Sequence, residues 1–393
     1  MKKWSPLHTL LLLSEVPKRW RAWQVALLPA GLAVVMGLAW GWAGGAELGW
    51  IAGLGLGALA AVDWWLFASL PRHGVSFGPF QPPFLGLCLV RGLVALALLP
   101  LVRAAPGAAL GLLAGVQLLG LGLAAYGLLV EPFRLAVTRL DLCSPRLSNP
   151  GTPLRLVHLS DLHVERLTRR ERALPALVAE LAPDLIVITG DFLNASYKRD
   201  PRALADLEWL LSELHAPGGI VACLGTVEVD IPRLLRPVLA RAGVDLLEDQ
   251  AQVLELAGHR IWVAGINCTR DAAADGERLR GLLAAAPRGA YRLVLYHMPD
   301  LMPEAAALGV DLVLSGHTHG GQWRLPGVGA LLTDSRYGKR YEAGSYRQES
   351  TYMVVSRGLG MEGWGTPRAR FFCPPEVVAL TLTGSGAGSE ARG

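Results

Sequence analysis

Four long apolar stretches in the first third of the chain constrain its fold more than any other feature. They run over about Val25–Trp42, Leu48–Leu70, Phe84–Val102 and Ala108–Val130. Each is close to the roughly 20 residues that cross the hydrocarbon core of a bilayer as a helix. A soluble bundle of four stretches with so few charged residues would have no polar face. We therefore expect an all-α transmembrane region over residues 1–130, with about four helices.

The distribution of tryptophan and charge supports a membrane location. Eight of the 12 tryptophans lie in residues 1–130, most of them near the ends of the stretches, where amphipathic rings favour the membrane interface. The same third carries eight Lys and Arg against three Asp and Glu, so it supplies the net charge of +4. Because the remainder is nearly neutral, we expect a membrane partner and no nucleic acid.

The positive charges also predict an orientation. Lys18, Arg19 and Arg21 precede the first stretch, whereas the loop Ala43–Glu47 carries no Lys or Arg. Since cytoplasmic loops are enriched in these residues, an even number of spans places the C-terminal domain in the cytoplasm of a multi-pass cell-membrane protein. The third stretch contains Arg91, and if it does not cross the membrane the C-terminal domain lies outside.

Asp63 and Arg91 are the two charged residues within the stretches. At a rise of 1.5 Å per residue, each lies about 10 Å from the same membrane face. A pair between neighbouring spans would relieve the cost of burying either charge alone. We expect a structural ion pair here rather than a functional relay.

The rest of the chain alternates between apolar runs and helical segments. We expect a junction over residues 131–150, one domain over residues 151–383 and a disordered tail over residues 384–393. The expected strands are Leu154–Leu159, Leu185–Thr189, Gly219–Leu224, Ile261–Ala264, Leu293–Tyr296 and Leu312–Leu314. Helical segments near 168–182, 201–215, 231–242 and 276–287 separate most of them, which predicts an α/β domain with a buried sheet. Tyr352–Val355 and Val377–Leu382 come without helices and suggest a second, more antiparallel sheet.

Acidic and imidazole side chains follow four of these expected strands. The residues are Asp161, His163, Asp191, His297, His317 and His319. In such sheets, binding and catalytic residues lie where the strands end. Six side chains with nitrogen or oxygen ligand atoms at four equivalent strand ends are hard to explain as core or surface residues. Carboxylate and imidazole without thiolate suit Mn, Fe, Zn, Ni or Co. Two such ions about 3.5–4 Å apart need a bridging carboxylate, and they can activate water and clamp a phosphoryl group.

The order of these motifs resembles that of the calcineurin-like metallophosphoesterase superfamily: Asp-x-His, Gly-Asp, an isolated His and Gly-His-x-His. The segment Gly316–Gln322 and the apolar N-terminal third are similar to its bacterial branch of membrane-associated phosphohydrolases. The resemblance covers about residues 135–383 and implies an αββα sandwich of two mixed sheets. It also implies hydrolysis of a phosphodiester or phosphoanhydride in a phosphorylated small molecule or a lipid-linked or nucleotide-linked substrate.

The resemblance assigns two divalent metal ions to these residues by position. The first ion would be held by Asp161, His163 and His319, and the second by His297 and His317, with Asp191 bridging the two. Asp191 and His317 are also candidate catalytic residues.

A fifth motif of the family departs from its usual form in this chain. Where the family has Gly-Asn-His followed by Asp or Glu, this chain has Gly225-Thr226-Val227-Glu228. The family's Asn is a ligand of the second metal, and its His assists the leaving group or stabilises the transition state. Thr226 can offer the metal only a neutral hydroxyl, and Val227 can neither ligate nor donate. Glu228 is a candidate catalytic residue that could substitute chemically.

Three interpretations of this departure stay open. The enzyme works with a compensated or weaker second metal, or it cleaves a substrate whose leaving group needs no acid. The third alternative is a catalytically weak, membrane-anchored binding or regulatory protein with a partly relict metal site. Candidate substrate-binding residues are Asn194, Arg324 and Arg357.

Overall fold

The computed structural model describes residues 16–147, 149, 151–362 and 368–384, and these divide into two compact units. One unit contains the described residues up to Val130 together with Arg368 and Ala369; the other contains the described residues of Glu131–Glu362 and those from Arg370 onward. The domain bounds expected from the sequence stay a prediction. Of residues 384–393, the expected tail, only Gly384 is described, and it is the last residue of a strand.

Long apolar helices dominate the described part of the N-terminal unit. The helices are α1 (Ala22–Gly44), α2 (Ala46–Ser69), α3 (Gln81–Ala97), α4 (Leu99–Ala104) and α5 (Pro106–Leu129). Helices α3 and α4 follow each other directly, with a break at Leu98 that precedes Pro100. Four segments are long and apolar enough to cross a membrane: Ala22–Gly44, Ala46–His73, Gln81–Ala104 and Pro106–Phe133. The prediction of four apolar helices is confirmed.

A buried polar cluster joins three of these helices. The Arg91 guanidinium on α3 donates to both carboxylate oxygens of Asp63 on α2, at 2.6 and 2.8 Å. It also donates to the side-chain and main-chain oxygens of Gln117 on α5, at 2.8 and 3.0 Å. The Gln117 amide in turn donates to the Arg91 carbonyl oxygen at 3.0 Å. The ion pair expected from the sequence is confirmed, and its hydrogen bonds are those of a structural contact between helices.

Two six-stranded sheets form the second unit. The first has the order β1-β14-β2-β3-β4-β5, and the second has the order β12-β13-β9-β8-β7-β6. The strands of the first are β1 (Ala136–Ser144), β2 (Leu154–Leu159), β3 (Leu185–Thr189), β4 (Ile220–Cys223), β5 (Val244–Leu246) and β14 (Glu376–Gly384). Those of the second are β6 (Gln250–Leu256), β7 (His259–Ile266), β8 (Tyr291–Tyr296), β9 (Leu312–Ser315), β12 (Gly344–Gln348) and β13 (Thr351–Val355). A separate hairpin pairs β10 (Arg324–Leu325) with β11 (Gly329–Ala330).

The strand pairing corrects one expectation. Tyr352–Val355 lies in β13, which pairs parallel to β9, and Val377–Leu382 lies in β14 of the other sheet. A second, more antiparallel sheet made of these two runs is therefore wrong. Strand β14 pairs parallel with β1 and antiparallel with β2, so the first sheet is mixed. The second sheet is mixed too, because β13 pairs antiparallel with β12 and parallel with β9. A run of apolar residues predicts that a strand forms there, but which strand it pairs with depends on packing between distant segments.

Helices cover the outer face of each sheet. Against the first sheet pack α6 (Arg169–Glu180), α7 (Pro201–Ser212) and α8 (Pro232–Arg241), and against the second pack α9 (Ala272–Leu283) and α10 (Met302–Ala307). Thr168 caps α6 and Asp200 caps α7, which explains where these helices begin. Between the sheets lies an apolar core that includes Leu156, Val187 and Val221 of the first and Val263, Leu293 and Leu314 of the second. The predicted fold, two mixed sheets between helices, is confirmed.

The buried ion pair of the N-terminal unit gives a test of stability. Arg91→Met should lower the free energy of unfolding by about 3–5 kcal/mol, because it leaves the buried Asp63 charge without its partner. Thermal unfolding of the full chain in detergent measures the loss. The double substitution Asp63→Leu with Arg91→Met is the control, and it should recover part of the loss because no unpaired charge remains. Equal losses in the single and double variants would contradict this explanation.

Candidate metal centre

Six almost completely buried side chains meet where four parallel strands end. They are Asp161 and His163 after β2, Asp191 after β3, His297 after β8, and His317 and His319 after β9. Ligand-type atoms of Asp161, His163 and His319 lie within 4.8 Å of one another, and those of Asp191, His297 and His317 form a second such group. The structure thus brings together all six residues that the sequence singled out.

One carboxylate lies between the two groups. Asp191 Oδ2 is 3.3 Å from His297 Nε2 and 3.7 Å from His163 Nε2, so a single oxygen faces a histidine of each group. Within the groups, His163 Nε2 is 3.0 Å from His319 Nε2, and His317 Nδ1 is 3.2 Å from His297 Nε2. Imidazole nitrogens that face each other across so short a distance have the arrangement of ligands directed at a common cation.

Three of the histidines have an oxygen atom close to the nitrogen on their outer side. Nδ1 of His297 donates to the Thr189 carbonyl oxygen at 2.6 Å. His163 Nδ1 lies 3.3 Å from Glu362 Oε2, and His317 Nε2 lies 3.4 Å from Asp334 Oδ2. A carbonyl can only accept, so the contact with Thr189 fixes a proton on Nδ1 of His297 and leaves Nε2 as the ligand. The two carboxylates lie close to the outer nitrogens of His163 and His317 without making a hydrogen bond to them. The sequence did not single out Glu362 or Asp334, since neither lies in a motif.

The backbone at the strand ends is unusual. Five of the six residues have positive φ angles, between 41° and 68°, in the left-handed region: Asp161, His163, Asp191, His317 and His319. Aspartate and histidine tolerate this region better than most residues, but several instances in one site indicate that the surrounding structure enforces them. The direction of these side chains is therefore set by the turns after the strands and not by the regular strands themselves.

Charge compensation explains how these groups can be buried together. Burial raises the pKa of Asp191, but His297 and the other nearby histidines outweigh burial and hold this pKa well below its usual range. Burial lowers the pKa of His297, but Asp191 outweighs it and raises this pKa to about 9. The pKa of His319 falls well below its ordinary value, mainly because of burial. A cation bound between Asp191 and His297 would therefore displace a proton.

The turn that departs from the family motif still supports Asp191. The Thr226 amide and hydroxyl donate to Asp191 Oδ1 at 2.8 and 3.1 Å. A Cβ on Gly225 would lie 2.1 Å from the same oxygen, so only glycine fits there. The buried Asp230 carboxylate accepts from the backbone amides of Gly225, Asp191 and Phe192 at 2.7–3.0 Å. Val227 is 63% exposed and contributes no polar atom from its side chain.

A buried arginine holds the loop beneath the first group. The Arg370 guanidinium, which is fully buried, donates to the carbonyl oxygens of Arg357, Gly358, Gly360 and Cys373. This loop lies so close to the site that a Cβ on Gly358 would be 2.6 Å from Asp161 Cβ. Sequence reasoning missed Arg370 because only the folded chain shows which carbonyl groups converge on it.

The three predicted substrate-binding residues are engaged within the protein. The Asn194 amide donates to the Met361 carbonyl oxygen at 3.0 Å. Arg324 donates to Glu342 at 2.8 Å, and Arg357 donates to Glu376 at 2.9 Å. Their role in substrate binding stays a prediction.

Comparison with known proteins gives a family and several relatives. The family model described as "Calcineurin-like phosphoesterase" matches residues 154–321, which contain all six residues of the centre. An uncharacterised metallophosphoesterase of Bacillus subtilis, YkuE, is 30% identical over 67% of this chain and 90% of its own length. The Escherichia coli phosphodiesterase YaeI is 30% identical over 59% of this chain and 83% of its own. The Chlamydia trachomatis UDP-2,3-diacylglucosamine pyrophosphatase LpxG is 27% identical over 64% of this chain and 90% of its own.

The carbonyl groups around Arg370 lead to a prediction about the loop. Arg370→Met should lower the free energy of unfolding by about 3 kcal/mol or more, because it leaves several buried carbonyl oxygens without donors. It should also reduce the metal content of the purified full chain, since the loop packs against Asp161. Thermal unfolding and elemental analysis measure the two effects. Arg241→Met, which removes an exposed arginine paired with Glu208, is the matched control and should leave both unchanged; an equal response of the two variants would contradict the role of Arg370.

Proposed function

Because the chain belongs to the calcineurin-like phosphoesterase family, we propose that it is a membrane-anchored phosphohydrolase that cleaves a phosphodiester or phosphoanhydride of a lipid-linked or nucleotide-linked substrate. It is a metallophosphoesterase by family, and the finer parts of the proposal concern its ligands, substrate and location. The observation that carries the hydrolytic function is the pair of buried groups on either side of Asp191.

The donors in these groups fit two divalent ions of Mn, Fe, Zn, Ni or Co, because carboxylate and imidazole are ligands that all five accept. One ion would be held by Asp161, His163 and His319, and the other by His297 and His317, with Asp191 shared. When bound, such a pair supplies an activated water and neutralises charge on the phosphoryl oxygens. A relict binding protein is the weaker alternative, because all six donors are retained and buried.

Residues of the chain hold the reacting parts in place. Asp191 is fixed by the Thr226 amide and hydroxyl, so its other oxygen keeps its position between the two groups. The Thr226 hydroxyl already donates to Asp191, and we propose that it acts mainly through that contact rather than as a strong ligand. His317, whose outer nitrogen lies 3.4 Å from Asp334, presents Nδ1 to the site.

The presence of Val227 favours a substrate whose leaving group departs without being protonated. Its apolar side chain stands where the family has a histidine, and it cannot donate a proton. Losing a positioned acid reduces the rate by roughly 10²–10⁴ when the leaving group must be protonated. A phosphoanhydride releases a phosphate, which departs readily as an anion, so a pyrophosphatase reaction is less affected. One of the relatives is named a pyrophosphatase, which agrees with this substrate class.

The N-terminal helices support an anchored enzyme. Four segments are long and apolar enough to span a bilayer, and the basic residues Lys18, Arg19 and Arg21 precede the first. By the positive-inside rule this distribution favours a catalytic unit in the cytoplasm. Attachment to a membrane raises the encounter rate with lipid-borne substrates.

Metal content and hydrolysis together test this function. The purified full chain loaded with Mn²⁺ should bind close to two ions per chain and hydrolyse bis-aryl phosphates, nucleotide sugars or lipid phosphates. Chelation should abolish hydrolysis, and Mn²⁺ should restore it. The Asp191→Ala variant is the control for contaminating phosphatase. Well below one ion per chain, with no hydrolysis of any substrate class, would favour the relict binding protein.

The exposed Val227 position predicts a gain of function. Val227→His should raise kcat/KM by up to about 10² on substrates with poor leaving groups, such as alkyl phosphates, because it supplies the missing acid. The gain should be small on aryl phosphates with acidic leaving groups. Val227→Phe is the control for a bulky ring without an acidic proton. A histidine variant that matches the phenylalanine variant on every substrate would refute the explanation.

A further inference from the structure

Arg270 contacts a residue that adjoins the metal centre, and it follows a strand end that no motif marks. It lies in the segment between β7 and α9, and β7 pairs parallel with β8, whose end carries His297. The carboxyl ends of adjacent parallel strands share one edge of the sheet. Arg270 itself has a φ angle of +65°, the same left-handed conformation as most residues of the centre. This conformation is uncommon for a residue other than glycine.

The Arg270 side chain lies between the altered motif and the second group. Its Nη1 is 3.3 Å from Asp334 Oδ2, and that same oxygen is 3.4 Å from His317 Nε2. On the other side, Arg270 Nε is 3.8 Å from Oε2 of Glu228 in the altered motif. One carboxylate oxygen therefore separates the guanidinium from a histidine of the centre, and the Glu228 carboxylate faces the guanidinium without a hydrogen bond.

Asp334 shows what kind of group this position accepts. Its carboxylate is an oxyanion that meets an arginine and an imidazole at once, and a phosphoryl oxygen has the same charge and accepts the same hydrogen bonds. The Asp334 side chain is 66% exposed and lies on irregular backbone after β11, and the Arg270 side chain is 37% exposed. A ligand can reach both from solvent.

We propose that Arg270 binds a phosphoryl oxygen of the substrate in place of the histidine that the altered motif lacks, and that this oxygen displaces Asp334. The proposal rests on the proposed function and deepens it. Glu228, whose side-chain oxygen lies 3.8 Å from Arg270 Nε, takes the role of orienting Arg270.

An arginine at this position restricts the leaving groups that the site can release. A guanidinium stays protonated at every physiological pH, so it stabilises negative charge by donating hydrogen bonds but gives up no proton. In the hydrolysis, the water oxygen forms a bond to phosphorus while the bond to the leaving oxygen breaks. The electron pair stays on the leaving oxygen, and the proton of the water passes to solvent. The substrate must therefore release a weakly basic oxyanion, such as a phosphate from a phosphoanhydride.

Binding of inorganic phosphate tests the site without turnover. In the Mn²⁺-loaded full chain, Arg270→Ala should weaken phosphate binding by roughly tenfold to a hundredfold, measured by calorimetry, because a charge-assisted hydrogen bond is lost. Arg270→Lys should weaken it less, and metal content should stay unchanged. Arg236→Ala is the matched control, since Arg236 is an exposed arginine paired with Glu248 away from the centre. Unchanged phosphate affinity in Arg270→Ala would overturn the proposal.

Asp334→Asn tests the displacement separately. The asparagine side chain still offers an amide oxygen to His317, but it has no negative charge to compete with phosphate. Phosphate should therefore bind several-fold more tightly. Weaker binding would overturn the displacement.

Leaving-group dependence separates this proposal from the proposed function. On aryl phosphates of graded leaving-group pKa, the wild type should lose rate steeply as that pKa rises, and Arg270→Ala should be slower by about 10² throughout. A wild type that hydrolyses these substrates at rates independent of leaving-group pKa would overturn the Arg270 proposal alone. A wild type that binds phosphate through Arg270 but hydrolyses nothing would overturn the proposed function instead.

Discussion

The mutual compensation of charge around Asp191 is the interaction on which the catalytic unit depends. A carboxylate this deeply buried would normally lose its charge or destabilise the fold. Here one oxygen faces His297 and His163, and the other accepts hydrogen bonds from Thr226. Asp161 is arranged similarly, since both of its oxygens accept from the His317 amide. Each member of the cluster is stable in its position only while the others occupy theirs.

The altered motif shows that such a turn carries two separable tasks. One is structural: Gly225 allows close approach, Thr226 fixes Asp191, and Asp230 ties the turn to the end of β3. The other task, for which the family uses the Asn as a metal ligand and the His as an acid, depends on two side chains alone. This chain keeps the first task and replaces the residues of the second. The turn can therefore change its chemistry without disturbing the neighbouring aspartate, because the structural contacts come mostly from the backbone.

The sequence predicts some levels of this structure well and others poorly. Strands β2 and β3 were predicted to the residue, because buried parallel strands are continuous apolar runs that end in polar turns. The six residues of the centre were recognisable because their positions at strand ends and the family resemblance agree. The partners of β13 and β14, and the contributions of Glu362, Asp334 and Arg370, were not predicted. They depend on which distant segments meet, and no local pattern of hydrophobicity or charge records that.

The position of β14 has a consequence for how the protein is made. This late segment, Glu376–Gly384, lies between β1 and β2 and pairs with both, so it is an inner strand of the first sheet. A ribosome delivers β1 and β2 long before it delivers the strand that joins them. Until then, the facing edges of two strands have unpaired backbone groups, which is the condition that invites aggregation. The nascent chain therefore has to be kept from aggregating, on its own or by a chaperone, while the residues between β2 and β14 are synthesised.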